Sequence, residues 1–324
     1  MTGRRSLGLG MVFAIVAALG ASSSLSAVAE TPVVIAAAGD IACPPPATER
    51  SLKCHQDRTA AQLAAGGYAA VLALGDEQYP CGRLSDFQQT YDRTWGALKS
   101  TTFPIPGDNE YLGNSGCTSG PGADGYFTYF GDLATPREPG CRSSCDGYYS
   151  FNLPDAPAWH VVALNSECTA SGVGGCSATS EQYKWLKADL AANPRACTVA
   201  YMHKPYWGNA TVRSKTKALV QLLYDNGVEL LLSGHDHLYA RFAPQTPASA
   251  STTSGLRQFV VGTGGYSLGT LKPSLPNTQF KTNTTFGLLE LTLRSDGYDW
   301  AFRADSKASD GSYKTVDSGS DSCH

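Results

Sequence analysis

Residues 228–237 read VELLLSGHDH, a short apolar run that ends in a loop with two histidines. The apolar run at 228–232 predicts a buried strand of a layered sheet. His235 and His237 stand two positions apart in the loop that follows. Because two histidines so placed seldom serve packing alone, this stretch predicts a ligand-binding site just past the end of a strand.

The same arrangement, an apolar run followed by a polar side chain, recurs along the chain. The polar residues and the runs before them are Asp40 after 33–38, Asp76 after 69–74, Asp108 after 103–106 and His203 after 198–202. Each has another interpretation when taken alone, since Gly-Asp pairs favour turns and a single histidine can be a core residue. In layered α/β sheets, however, ligands bind past the carboxyl ends of strands because loops converge there. We therefore expect these side chains to meet.

The remaining pattern is also that of a layered α/β fold. A further strand is predicted at 159–164, and helices are predicted at 58–65, 85–98, 180–191 and 215–224. After residue 255 the sequence favours strands, at 258–261, 288–293 and 298–302, with Asp296-Gly297 closing a hairpin. The aromatic stripe of the helix at 85–98 is interpreted as core.

The converging residues suit a metal site. Three carboxylates, three imidazoles and the Tyr79 phenol form a mixed oxygen and nitrogen set that favours zinc, iron or manganese. Two such ions about 3.5 to 4 Å apart can share a carboxylate, clamp a phosphoryl group and convert a bridging water into hydroxide. The residues alone therefore indicate a hydrolytic centre.

Five motifs in order carry a resemblance to a known family: GD at 39–40, GDEQY at 75–79, PGDNEY at 106–111, YMHKP at 201–205 and GHDHLYARFAP at 234–244. Together they resemble the calcineurin-like metallophosphoesterase superfamily, and GDEQY resembles its purple acid phosphatase branch. The resemblance implies an α/β fold, a four-layer αββα sandwich with two central mixed β-sheets. It also implies hydrolysis of phosphate monoesters by attack of a metal-bound hydroxide.

The resemblance further implies two metal ions, Fe, Zn or Mn, and assigns their ligands. One ion would be held by Asp40, Tyr79 and His237, the other by Asp108, His203 and His235, with Asp76 shared by both. The catalytic residues would be Asp76, His203 and Asn109. Two positions depart from the family pattern, because GDNE at 107–110 stands where GNHE is usual. Asp108 replaces a neutral asparagine, and Asn109 replaces a histidine that contacts phosphate and can protonate the leaving group.

Several residues near the motifs are candidates for supporting roles. Asn109, Tyr111 and Arg241 are predicted to bind substrate, although Arg241 can equally form a structural ion pair. Glu110 is expected to hold a metal ligand in place. Tyr206 and Trp207 are either pocket residues or packed loop aromatics, and the glycine-rich run at 262–265 is expected to serve backbone packing.

The amino terminus predicts export. Arg4 and Arg5 precede an apolar run that ends in small residues, so residues 1–29 are expected to be a cleavable signal, and the protein is expected to be secreted or extracytoplasmic. The paired arginines also permit twin-arginine export, which the following residues match poorly. The catalytic domain is expected at 30–305, followed by a mobile polar tail at 306–324 that Cys323 pins. No later run is long enough for a transmembrane segment.

Ten cysteines in an exported chain predict disulfides rather than a cysteine zinc site. Short loops favour Cys43–Cys54, Cys141–Cys145 and Cys168–Cys176, and the other four pair over longer distances. A net charge of −3 without a basic cluster argues against a nucleic-acid platform and for a small partner. The resemblance implies that this partner is a small phosphate-ester substrate. The alternatives are a phosphodiesterase and a metal-retaining, catalytically weak phosphate-binding or interaction protein. Oligomeric state is left open.

Overall fold

The computed structural model describes residues 1–3, 8, 32–50, 53–111, 117 and 122–324. The chain divides into two compact units, Met1–Thr31 and Pro32–His324, and the second carries the fold. Apart from residues 1–3 and 8, the predicted signal at 1–29 lies outside the described residues. Within the described part of the chain, no helix has the length and apolar character that a bilayer span requires.

The described residues form two mixed β-sheets. The strands are β1 (Val33–Ala38), β2 (Ala70–Ala73), β3 (Thr102–Pro104), β4 (Tyr149–Asn152), β5 (Trp159–Ala163), β6 (Cys197–Tyr201), β7 (Leu230–Ser233), β8 (Tyr239–Phe242), β9 (Arg257–Val261), β10 (Thr278–Thr282), β11 (Gly287–Leu293), β12 (Gly297–Lys307) and β13 (Tyr313–Ser322). The first sheet has the order β13-β12-β11-β1-β2-β3, and the second β10-β8-β9-β7-β6-β5-β4. Parallel pairs lie at one end of the first sheet, β1 with β2 and β2 with β3. In the second sheet they lie at the centre, β5 with β6, β6 with β7 and β7 with β9.

Helices connect the strands. The α-helices are α1 (Gln56–Gly66), α2 (Leu84–Asp86), α3 (Asp124–Phe130), α4 (Glu181–Ala192) and α5 (Lys217–Asp225). A π-helical turn spans Phe87–Tyr91, and 3-10 helices span Trp95–Thr101, Gly131–Leu133 and Ser214–Thr216.

The helix predicted at 85–98 is interrupted. The side-chain oxygen of Gln78 accepts a hydrogen bond of 3.3 Å from the Tyr91 backbone N–H, which a regular α-helix would direct to Phe87. Insertion of a side chain into the helical ladder is a known cause of such breaks. Phe87, Tyr91 and Trp95 are nonetheless fully buried, so the interpretation of this stripe as core is confirmed.

Successive residues of the central strands face different layers. On β5, Val161 and Ala163 belong to the core shared with the first sheet, whereas Val162 packs in a second cluster with Leu186 of α4 and Leu223 of α5. The two-residue period of a strand explains how one apolar run serves two layers. With α1 packed beside β12 of the first sheet, the four-layer αββα sandwich with two mixed sheets is confirmed.

The carboxyl-terminal segment differs from the expected mobile tail. β13 pairs antiparallel with β12 and forms one edge of the first sheet. The pairing runs from Gly297 opposite Ser322 to Lys307 opposite Tyr313. Its polar composition is misleading, because an edge strand can expose most of its side chains while its backbone is held by hydrogen bonds. Residues 306–324 therefore complete the sheet.

All ten cysteines are paired. The three short-loop disulfides are present as predicted. Cys81 bonds to Cys117, and Cys197 bonds to Cys323 across a separation of 126 residues. The last disulfide ties the end of β13 to the start of β6, and so connects the first sheet to the second.

Candidate metal centre

Seven ligand-type side chains meet where the carboxyl ends of the parallel strands of both sheets adjoin. They lie in loops that follow five different strands: Asp40 after β1, Asp76 and Tyr79 after β2, Asp108 after β3, His203 after β6, and His235 and His237 after β7. The strands before these loops are buried, so the loops start from fixed positions.

Four of the seven have left-handed backbone conformations. Their φ angles are 60° for Asp40, 53° for Asp76, 68° for His235 and 36° for His237. Such conformations cost about 1 to 3 kcal/mol each in non-glycine residues and collect at functional sites. The backbone of His235 is held by its N–H, which donates to Asp40 Oδ2 at 2.7 Å.

Glycines allow the close approach of the loops. A methyl group on Gly107 would lie 2.2 Å from Asp76 Oδ1. On Gly262 it would lie 2.7 Å from the backbone nitrogen of His237 and 2.8 Å from Asp40 Oδ2. The glycine-rich run at 262–265 therefore packs its backbone against the site, as expected.

One half of the cluster surrounds the Tyr79 hydroxyl. This oxygen lies 2.7 Å from Asp40 Oδ1, 2.7 Å from Asp76 Oδ2 and 2.9 Å from His237 Nε2. His237 Nε2 is also 3.0 Å from Asp40 Oδ1. Two carboxylates, a phenol and an imidazole thus point at one small volume.

The other half surrounds Asp108. Its Oδ1 lies 2.9 Å from His235 Nδ1 and 3.2 Å from His203 Nε2. His203 Nε2 is in turn 3.3 Å from Asp76 Oδ1. Asp76 therefore contacts both halves, one with each carboxylate oxygen.

Two histidines have one ring nitrogen occupied outside the cluster. His203 Nδ1 lies 2.8 Å from the Leu74 carbonyl, which fixes it as the donor and leaves Nε2 for the cluster. His237 Nδ1 lies 2.8 Å from the Ser267 hydroxyl. Anchoring of the second nitrogen is the usual arrangement for metal-binding histidines.

The charges of the carboxylates in the cluster are balanced by protons on neighbouring side chains. Burial alone would lower the pKa of His203, but Asp76 and Asp108 raise it well above its usual value. Burial raises the pKa of Tyr79, and Asp40 and Asp76 raise it further. Burial would raise the pKa of Asp76, yet His203 lowers it. Metal ions could replace these protons, because the donor set is that of a zinc, iron or manganese site.

Glu110 and Asn109 support Asp76. Glu110 accepts hydrogen bonds from the backbone N–H groups of Asp76, Gly107 and Gln78 at 3.0, 2.8 and 3.2 Å, so it joins the loops after β2 and β3. Asn109 donates to Asp76 from its backbone N–H at 2.9 Å and also from its side-chain amide. The structure thus brings Asn109 to the cluster.

The cluster has a buried floor and an open rim. The side chains of Asp40 and His203 are completely buried, and that of Asp76 is 2% exposed. Those of Asp108, His235 and His237 are 26%, 25% and 23% exposed. The cluster is therefore accessible from the rim that Asp108, His235 and His237 form.

Two residues that were predicted to bind substrate have other hydrogen-bond partners. Arg241 donates to both carboxylate oxygens of Asp317, at 2.8 and 3.0 Å, so the prediction that it binds substrate is replaced by the structural ion pair. The Tyr111 hydroxyl accepts a hydrogen bond of 2.9 Å from Asn165, in the loop after β5. Tyr206 and Trp207 are buried loop aromatics.

Sequence reasoning missed three residues beside the cluster. Tyr266 stacks on Tyr79 with ring centroids 3.4 Å apart, and its neighbour Ser267 holds His237. Lys204 Nζ lies 3.7 Å from Asp108 Oδ1. Only Lys204 had a signal in the sequence, since it directly follows His203 in YMHKP.

Comparison with known proteins gives the family. The Calcineurin-like phosphoesterase profile matches residues 33–239. Purple acid phosphatase 22 of Arabidopsis thaliana is 31% identical over 157 residues, which cover 45% of this chain and 34% of that protein. The chain thus matches about a third of the length of this relative.

Two solved structures share the fold. A purple acid phosphatase from seeds of yellow lupin (Lupinus luteus) has a TM-score of 0.66 and 18% identity, covering 90% of this chain and 54% of that chain. An anchor protein of the inner membrane complex of Plasmodium has a TM-score of 0.58 and 14% identity, covering 90% and 89%. Since the matching profile spans all seven ligand-type residues, the chain belongs to the calcineurin-like phosphoesterase family, in its purple acid phosphatase-like branch.

Proposed function

We propose that this protein is an exported hydrolase of phosphate monoesters that uses two metal ions. The observation that carries the proposal is the position of Asp76, whose two carboxylate oxygens contact the two halves of the seven-residue cluster. A shared carboxylate between two groups of ligands is what a binuclear centre requires.

The two halves give the ligand assignment. Asp40, Tyr79 and His237 would hold one ion, Asp108, His203 and His235 would hold the other, and Asp76 would contact both. When bound, ions of Fe, Zn or Mn would supply Lewis acidity that activates water and offsets the charge of the phosphoryl group. Binding would require His203 and His237 to lose the protons that their raised pKa values favour.

The chain's own residues would orient the substrate. Asp76 and His203 form the buried floor, and the Asn109 amide lies against Asp76, close enough to donate to a phosphate oxygen near it. That Tyr111 binds substrate stays a prediction, since its hydroxyl accepts a hydrogen bond from Asn165. The five disulfides support export, because such bonds persist in oxidising compartments.

Asn109 also sets an expected limit on catalysis. An amide donates hydrogen bonds but cannot transfer a proton to a leaving alkoxide as an imidazolium can. General acid catalysis is worth roughly 10² to 10⁴ in rate. Alkyl phosphates should therefore be hydrolysed more slowly than nitrophenyl phosphate, and Asn109→His should raise the alkyl rate more than the nitrophenyl rate.

The test combines elemental analysis of the purified protein with kcat/KM for matched phosphate mono- and diesters. About two metal ions per chain and a preference for monoesters are expected. A preference for diesters would support the phosphodiesterase alternative. Metal-loaded protein that binds inorganic phosphate without turnover would instead support the phosphate-binding alternative, and active protein without metal would contradict the proposal.

A further inference from the structure

Lys204 stands at the rim of the candidate metal centre. Its backbone N–H donates to the Ser166 hydroxyl at 2.9 Å, which fixes the start of the side chain. Its ammonium lies 2.6 Å from Glu167 Oε2 and 3.7 Å from Asp108 Oδ1. The side chain is 28% exposed, so one side of it is open to a ligand.

The carboxylate of Asp108 adds negative charge at the rim beside Lys204. Where the resemblance implies a neutral asparagine, this chain has a carboxylate, which lies on the exposed rim rather than the buried floor. Its Oδ1 lies 2.9 Å from His235 Nδ1, 3.2 Å from His203 Nε2 and 3.7 Å from Lys204 Nζ. A phosphate dianion approaching the rim would meet this added negative charge.

Two arginines pair with carboxylates outside the cluster. Arg213 pairs with Asp236 at 2.6 Å, and Arg241 pairs with Asp317. Among the described residues, no lysine or arginine other than Lys204 forms an ion pair with a member of the cluster.

There is also room beside Lys204 for a bound group. A cavity of about 370 Å³ is lined by Lys204 together with Ser166, Glu167, Thr169, Arg213 and Lys215. Lys204 therefore borders this cavity and also lies 3.7 Å from Asp108 Oδ1. A phosphate held near Asp108 would place an oxygen within reach of Lys204.

We propose that Lys204 offsets the negative charge of Asp108 and binds an oxygen of the substrate phosphate, with Glu167 holding the ammonium in position. This inference rests on the proposed function. It makes Lys204 a substrate-binding residue that is coupled to a specific feature of this chain, the carboxylate at position 108.

The test is a double-mutant cycle on the affinity for inorganic phosphate, measured by calorimetry and as competitive inhibition of nitrophenyl phosphate hydrolysis. Lys204→Gln should weaken phosphate binding by roughly tenfold or more, because a charged hydrogen bond is lost. Lys204→Arg should keep it within about threefold. The double variant Asp108→Asn with Lys204→Gln should return close to wild type, since the two charges are removed together.

Lys215→Gln is the matched control, because Lys215 lines the same cavity but forms no ion pair with the cluster among the described residues. It should change phosphate affinity little. The metal content of every variant is measured, so that loss of metal is not mistaken for loss of a phosphate contact. Unchanged affinity in metal-replete Lys204→Gln would overturn the inference, as would a double variant as weak as Lys204→Gln. A wild-type protein without metal or turnover would instead contradict the proposed function.

Discussion

Two clusters of charged side chains in this molecule are balanced in different ways. The first cluster, which we call the bridging network, consists of two ion pairs, Arg241 with Asp317 and Arg257 with Asp321. Each carboxylate in it has a guanidinium partner. Both pairs join the second sheet to β13 of the first. In the candidate metal centre, three carboxylates face three imidazoles and a phenol, and among the described residues Lys204 is the one lysine or arginine that forms an ion pair with any of them.

The difference separates a cluster that is balanced by fixed charges from one that is balanced by protons. Burial would raise the pKa of Asp317, but Arg241 and Tyr239 lower it, so that carboxylate is satisfied without any added ion. The metal centre reaches balance only by keeping His203, His237 and Tyr79 protonated. A cluster that balances through exchangeable protons can instead accept metal cations.

The largest expected effect comes from removing the shared ligand. Asp76→Ala should lower kcat/KM by about 10³ or more, because bound metal supplies several kcal/mol of transition-state stabilisation. It should also reduce metal content by elemental analysis. Asp317→Ala is the matched carboxylate in the bridging network and should leave metal content unchanged. Equal metal loss in both variants would remove the distinction between the clusters.

Metal removal should destabilise the protein through the metal centre alone. Chelation should lower the melting temperature on the order of 10 °C, because a ligand at a thousand times its Kd adds about 4 kcal/mol. The shift should shrink as pH falls, since protons compete for His203 and His237. Scanning calorimetry with and without chelator checks this, and Asp76→Ala should show no such shift.

Breaking the bridging network should act on stability but not on catalysis. Arg241→Met should cost about 3 kcal/mol of unfolding free energy, because it leaves the Asp317 carboxylate buried without its partner. The metal content and kcat/KM should stay near wild type below the melting temperature. Denaturant unfolding and assays at low temperature separate the two effects. A large loss of activity in folded Arg241→Met would instead support the prediction that Arg241 binds substrate.

The smallest effect concerns a buried carboxyl with neither kind of partner. Glu229 is 2% exposed, accepts backbone hydrogen bonds from Thr198 and His324, and burial raises its pKa to about 7 from 4.5. Stability that the protonated group provides should be lost as pH rises from about 4.5 through 7, by about 1 kcal/mol per pH unit.

Glu229→Gln should flatten this dependence, because the amide keeps an acceptor for Thr198 but does not ionise. Denaturant unfolding at several pH values, on protein with and without metal, measures the slope. The same slope in wild type and Glu229→Gln would show that another group is responsible.

Much of the fold followed from local patterns. The apolar runs located β1, β2, β5, β6 and β7, because a strand covered on both faces needs consecutive apolar residues. The helix at 85–98 and the tail at 306–324 were predicted incorrectly for one reason. Gln78, a side chain from outside the predicted helix, interrupts the first, and backbone pairing with β12 orders the second. Neither effect is visible in the composition of the segment itself.

The sequence by itself determined the family and the kinds of side chain available at the site, since the motifs that carry Asp40, Asp76, Asp108, His203 and the 235–237 loop are local. Only the tertiary structure decided how they combine. It placed Asp76 between the two halves, brought Lys204 to Asp108 and turned Arg241 toward Asp317. Such pairings depend on distances between loops of different strands, which no local pattern specifies, because the two sheets must pack before the loops can meet.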